Sequence, residues 1–215
     1  MKPYYQDEWV TIYHGDCREI LPSIPDKSID LVLTDPPYAE DAIELYEVAA
    51  RESKRLLKDG RFFYAYCGAM FLPELLVRIG KYLDWFWLHN LRHNGGYPTI
   101  WKTHMQQNSK PILAYTNGKP NLINLAWSFT DFTKDKPDKH FHKGWGQGII
   151  VPQEIISMRT QEGDIIIDPY VGGGCVPMAA KKLNRKCIGI EIEEKYCEIA
   201  AKRCSQSVMN FGAMK

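Results

Sequence analysis

Short apolar runs that alternate with amphipathic segments predict an α/β chain, a doubly wound, mostly parallel Rossmann-like sheet with a small inserted basic lobe. The runs 29–34, 164–168 and 186–191 are rich in Ile, Leu and Val and end at polar residues, the pattern of strands buried on both faces. Segments between them place apolar residues at three- and four-residue spacing, as a helix with one buried face does. Two of the runs open into turns rich in proline or glycine, Asp35-Pro36-Pro37-Tyr38 and Pro169-Tyr170-Val171-Gly172-Gly173-Gly174. Open α/β sheets bind ligands at such carboxyl edges.

Taken in order, 10–14 is a strand candidate, 29–34 a buried strand, 41–57 a helix, 61–66 a strand and 72–82 a helix. After an interruption come helix 152–160, strand 164–168, helix 176–184, strand 186–191 and helix 193–207. The interruption, 85–147, carries turn signals at Gly95-Gly96-Tyr97-Pro98 and Asn117-Gly118-Lys119-Pro120 and is expected as an insertion into a single 1–215 domain. It holds eight Lys or Arg against three Asp, a local balance of +5 that leaves the rest of the chain at −4. Five of the six tryptophans and five of the six histidines lie there too.

With 215 residues, one domain can bury a sizeable core. A formal charge of +1 gives no overall polyanion signature, so the distribution of charge carries the information. The six cysteines have irregular spacings and no Cys-x-x-Cys pair, which speaks against a zinc ribbon or a disulfide framework and for buried, reduced thiols. The first residues lack an apolar segment and no apolar run approaches bilayer length, so a cytoplasmic location and no membrane partner are expected. His89 and His93 share the i, i+4 spacing of paired helical ligands, but no His-Glu-x-x-His pattern accompanies them and no metal is expected.

In the cofactor half, glycines after Asp168 let a ligand lie against bare backbone. Glu191 ends the next strand 23 residues after Asp168, the separation at which an acidic side chain reaches a ribose held over the first turn. An adenosine-containing cofactor is implied. Pro177 stands where a dinucleotide fingerprint has its third glycine, and there is no Walker lysine, which excludes the usual dinucleotide and triphosphate patterns.

In the other half, two prolines after Asp35 fix φ and remove two N–H donors, leaving carbonyls free to accept beside an aromatic ring. An exocyclic amino group of a base has its lone pair delocalised into the ring and is a poor nucleophile. If the Asp35 carboxylate and the Pro36 carbonyl accept its two hydrogens, the lone pair is redirected outward, and positioning with electrostatics supplies the rate. Tyr38 would stack on a base flipped from the duplex, an interaction worth roughly 1–3 kcal/mol.

Asp35-Pro36-Pro37-Tyr38 resembles the catalytic motif of the amino-group DNA methyltransferases, and Asp168-Pro169-Tyr170-Val171-Gly172-Gly173-Gly174-Cys175 resembles their cofactor motif. Catalytic motif first and cofactor motif last is the permuted order of the β group of that family, found in bacteria and phages. The resemblance implies a Rossmann-like methyltransferase fold, S-adenosylmethionine as cofactor with S-adenosylhomocysteine as product, double-stranded DNA as partner and a homodimer. Residue by residue it gives Asp35, Pro36, Pro37 and Tyr38 to catalysis. It gives Asp16, Cys17, Asp35, Asp168, Pro169, Tyr170, Gly172, Gly174, Cys175 and Glu191 to the cofactor, with Asp16 and Cys17 at its adenine, Asp168 and the glycines at its methionine part and Glu191 at its ribose. Cys175 departs from the family's Thr, and a His-Pro-x-x-Lys-Pro element before the cofactor strand is only loosely echoed by 142–147 and Pro152.

An Asp at the first catalytic position favours adenine N6, with cytosine N4 the alternative. Methylation of RNA or of a protein amide, and an inactive DNA-binding relative, stand as further alternatives. The basic stretch 85–147 is expected to face DNA, with Arg92, Lys102, Lys110 and Lys143 on phosphates and Trp101 as wedge or stacking platform.

Overall fold

In the computed structural model, residues 2–92, 99–100, 104–123, 131–133 and 148–206 are described. The strands are β1 (Tyr5–Gln6), β2 (Val10–His14), β3 (Ile29–Thr34), β4 (Leu57–Tyr66), β5 (Asp84–Arg92), β6 (Thr99–Ile100), β7 (Met105–Gln106), β8 (Ser109–Thr116), β9 (Asp131–Thr133), β10 (Ile165–Asp168) and β11 (Lys186–Glu191). The helices are α1 (Cys17–Ile20), α2 (Ile43–Leu56), α3 (Leu72–Gly80), α4 (Ile150–Arg159), α5 (Cys175–Lys182) and α6 (Glu194–Ser205).

Nine strands form one sheet in the order β1-β2-β11-β10-β3-β4-β8-β5-β9. Its centre, β2 through β4, is parallel, with antiparallel pairing at β1 and around β8. The expected α/β doubly wound fold is the observed one. The connection from β3 through α2 leads to β4 on one side, whereas β10 through α5 leads to β11 on the other. The winding therefore reverses between β3 and β10, where such sheets open a crevice at their carboxyl edge.

Period-two alternation sorts the strand residues into two cores. Val32, Phe63, Ala65 and Leu113 pack with Cys17 and Ile20 of α1, Tyr46 and Ala49 of α2 and Leu75 and Ile79 of α3. Leu31, Leu33, Phe62 and Tyr64 pack on the opposite face with Ile155 and Ile156 of α4 and Val176 and Ala179 of α5. Val10 and Ile12 of β2 meet Cys197 and Ala200 of α6 in a third cluster.

The stretch 85–147 differs from the expected loop-rich insertion. β5, β8 and β9 are strands of the main sheet, and β8 lies between β4 and β5. An apolar β8 with buried Ile112 to Tyr115 completes the core beside β4, so this part of the stretch is framework. His89 sits on β5 and not on a helix; it is buried between the rings of Tyr64 and Phe132, and His93 lies outside the described residues. Among the described residues no group of His, Cys, Asp or Glu could hold a metal, and no helix is long and apolar enough to cross a membrane. All six cysteines are free thiols.

At the amino edge of the sheet, Asp30 is buried and fully engaged. Its carboxylate accepts from Lys58 at 2.8 and 2.9 Å and from the Ile165 N–H at 3.0 Å, and it pairs with Arg61 at 3.0 Å. This ties β3 to β4 and β10 at the end away from the crevice. Removing one partner of a buried charge pair strands the other. Asp30→Ala should therefore lose roughly 3 kcal/mol of stability, seen as a lower urea midpoint.

Candidate active site

Four strand ends meet at the carboxyl edge, those of β2, β11, β10 and β3, and each carries residues singled out above. They surround a cavity of 270 Å³ whose walls include Asp16, Cys17, Asp35, Pro37, Pro169, Tyr170, Gly172 and Glu191. Both motifs thus open onto one space, although Asp35 and Gly172 are far apart in sequence. Asp168, Gly174, Cys175, Pro36 and Tyr38 do not line it.

Asp168 is 2 % exposed and lies at the winding reversal itself. Its Oδ1 accepts from the Thr34 hydroxyl at 2.8 Å, across the β3–β10 pair, and from the Tyr170 N–H at 3.1 Å. Burial pushes its carboxyl up to about 7, against the lowering effect of those two hydrogen bonds. Through these two bonds Asp168 shapes the turn that leads into the glycines.

Glu191 closes the loop from the other side. Its Oε2 accepts from the Gly172 N–H at 2.8 Å and its Oε1 from the Glu193 N–H at 2.9 Å. Each oxygen keeps a second lone pair for a ligand hydroxyl. Gly174 caps α5 in the left-handed region, φ 76°, and a Cβ there would stand 2.9 Å from Cα and Cβ of Ala200. Only glycine lets α5 approach α6 this closely. At Gly189 on β11 a Cβ would meet the Val171 side chain at 2.3 Å, so that glycine admits the loop onto the strand.

Asp16 caps α1 by accepting from the Arg18 N–H at 2.8 Å, and the Arg18 guanidinium also donates to it, at 2.5 to 3.0 Å. That hydrogen bonding holds its carboxyl below the usual range. Cys17 is buried, its thiol donating to the Tyr170 hydroxyl at 3.3 Å, and that hydroxyl donates to the Leu45 carbonyl at 2.9 Å. Tyr170 is thereby pinned across the cavity floor between α1 and α2. Cys175 opens α5, and burial pushes its thiol up to about 12, so it fills space as a neutral group.

At the end of β3, the Tyr38 hydroxyl donates to Asp35 Oδ1, and Lys110 Nζ donates to Oδ2 at 3.0 Å. Tyr46 of α2 donates to the Tyr66 carbonyl at 3.0 Å and lies 3.3 Å from the Pro36 carbonyl. A hydroxyl has one hydrogen, so the shorter bond leaves the Pro36 oxygen with acceptor capacity. The Tyr38 ring is 41 % exposed.

Of the residues expected to bind DNA, Lys110 stands on Asp35 and Arg92 pairs with Asp131 of β9 at 2.6 Å. Trp101, Lys102 and Lys143 lie outside the described residues. Sequence inspection missed Arg18, Leu45, Ile192, Glu193 and Tyr196, which also line the cavity. The last three lie within five residues after Glu191, so the run after an acidic strand end was the available signal.

Residues 150–202, from α4 to most of α6, match the family model described as DNA methylase. The chain is 24 % identical over 250 residues to the Type II methyltransferase M.BamHI of Bacillus amyloliquefaciens, covering 94 % of this chain and 59 % of that protein. It spans less than two thirds of that relative's length. The solved structure of the PvuII DNA methyltransferase, described as cytosine-N4-specific, superposes with a TM-score of 0.83 at 18 % identity over 97 % of this chain and 90 % of that one. The M1.HpyAVI–SAM complex superposes with a TM-score of 0.72 at 23 % identity, over 91 % and 99 %.

The raised carboxyl of Asp168 has a signed consequence. A group whose pKa is raised on folding favours the native state below its unfolded value and loses that contribution as pH rises through the folded one. For Asp168 the loss runs from about 4 to about 7. Asp168→Asn, neutral throughout and still an acceptor for Thr34, should melt higher than the parent chain at pH 8 without added ligand. At pH 4 the difference should disappear.

Proposed function

We propose that this chain is an amino-group DNA methyltransferase, which transfers a methyl group from S-adenosylmethionine to an exocyclic amino nitrogen in double-stranded DNA, at adenine N6. The observation that supports this best is the shared cavity, which Asp35 and Pro37 line together with Gly172 and Glu191.

The residues present fit the cofactor. Nothing stands within 4 Å of the place a Cβ would take at Gly172, so the loop is open to a close neighbour. Glu191 has lone pairs left for ribose hydroxyls, Asp16 an acidic edge for an adenine amino group, and Pro169 and Tyr170 apolar surface between them. When bound, S-adenosylmethionine supplies an electrophilic methyl on a sulfonium.

Everything else falls to the protein. Asp35 and the Pro36 carbonyl accept the two hydrogens of the amino group and turn its lone pair outward. Tyr38 offers its ring to the flipped base, which the exposure of that ring allows. Asp35 accepts from the Tyr38 hydroxyl, whose place at that oxygen the base amino group takes. Tyr46 is anchored on the Tyr66 carbonyl of β4 and stands 3.3 Å from the Pro36 carbonyl of the turn.

An Asp at the head of the motif supports adenine. Cytosine N4 is the second candidate, since the same acceptors grip either amino group and the PvuII enzyme, whose fold is similar, is described as cytosine-N4-specific. The basic stretch 85–147 is proposed to meet the DNA, now through its residues beyond β5, β8 and β9.

The deciding experiment incubates the protein with duplex DNA and methyl-labelled cofactor and identifies the nucleoside by mass spectrometry. N6-methyladenine is expected; N4-methylcytosine would select the second candidate, and label only in tRNA or protein would overturn the proposal. Asp35→Asn should lower kcat by about 100-fold or more while calorimetry finds cofactor affinity kept within a few-fold. Lys102→Glu with Lys143→Glu should weaken duplex binding and reduce its salt slope by about two counterions, without changing cofactor binding.

A further inference from the structure

Lys110 stands at the turn after β3. Its ammonium lies 3.0 Å from Asp35 Oδ2, 4.4 Å from the centre of the Tyr38 ring and 4.8 Å from that of Tyr66. Its side chain is 12 % exposed, less than the 25 % of Asp35. A cation buried this far among two rings and a carboxylate gives up most of its water and is held there by all three.

The backbone explains how it arrives. The β4–β8 ladder ends at the Tyr66–Ile112 pair, and the Pro111 carbonyl accepts from the Cys67 N–H at 3.0 Å just beyond it. Lys110 is the next residue outward, past the end of β4, where its long stem can cross the Tyr66 ring to the turn after β3. Pro111 fixes its own φ and restricts the backbone of Lys110 to extended conformations. The approach direction of the ammonium is thus set by the sheet.

The two Asp35 oxygens are held differently. Oδ2 accepts from a buried cation on a framework strand, Oδ1 from the hydroxyl of a half-exposed ring. The Tyr38 hydroxyl can leave without disturbing the sheet. Lys110, Tyr38 and Tyr66 do not line the cofactor cavity, although Asp35 does, so Asp35 stands between that cavity and this group of three.

We propose that Lys110 is a positioning residue: by holding Oδ2 it fixes the Asp35 carboxylate and keeps it ionised, leaving Oδ1 to receive the base amino group once the Tyr38 hydroxyl gives way. This rests on the assignment of Asp35 as amino-group acceptor. Around Asp35 stand Tyr46 of α2, Cys67 after β4, Asp168 of β10 and Cys175 of α5, none of them cationic. Asp168 in particular works against a second negative charge nearby. Lys110 opposes these groups with positive charge.

The test uses the full chain with Lys110→Met, which keeps an unbranched stem on the rings, and Lys110→Arg, which keeps the cation. Lys110→Met should lower kcat by about 10-fold or more, with KM for duplex DNA changed less than about 3-fold, and the acid limb of its kcat–pH profile should move up by about one unit as Asp35 loses an opposite charge. Lys110→Arg should recover most of both. Cofactor binding by calorimetry should match the parent in each variant, which shows that the fold is intact. A Lys110→Met enzyme with unchanged kcat and pH profile but higher KM and a salt slope smaller by about one would make Lys110 a phosphate contact and overturn the proposal alone. A parent chain that methylates no DNA would remove the Asp35 assignment, and the proposal with it.

Discussion

The hydrogen bond from Thr34 to Asp168 joins two strands 134 residues apart in sequence, and the site depends on it. β3 delivers the Asp35 turn and β10 delivers the glycine turn, and their parallel pairing puts both turns at one edge. A one-residue slip would exchange the faces of β3 and send its buried side chains to the wrong core. The buried Asp30 cluster guards against this at the opposite end of the same strands, by holding β3, β4 and β10 at once. Register is therefore fixed at both ends by polar contacts in an otherwise apolar layer.

Two carboxylates at adjacent strand ends live in opposite environments. Asp168 is sealed under the turn with neutral donors, and burial raises its pKa. Asp35 is partly open and meets an ammonium. Separate environments for like groups are a common way to divide tasks between them. Here one carboxylate shapes the loop and the other opens onto the cavity.

The parallel centre of the fold was legible because its strands are buried on both faces and so read as unbroken apolar runs, and because the helices beside them keep a single buried stripe. β3 and β11 begin and end where the apolar runs do. β5 and β8 were not legible. β5 mixes buried His89 and Leu91 with exposed Trp85 and Trp87, and β8 contains Pro111, which argues against an inner strand. Pro111 is tolerated because the β4 ladder stops one residue short of it. The motif residues at the cavity were visible in sequence through their turn chemistry. Lys110 was visible only as a charge, since its contact with Asp35 comes from a strand order that no local pattern reveals.

That strand order also bears on how the molecule is made. β2 and β3, which leave the ribosome before β10 and β11, have no partner in each other; the places between them belong to those later strands. A nascent polypeptide would thus carry two apolar inner strands with open edges until translation of the later half is well advanced. Such non-local pairing slows assembly and leaves template edges exposed meanwhile. A chain built in this order has a natural window for chaperone engagement, and a ribosome-bound fragment ending before β10 has no complete sheet to fold into.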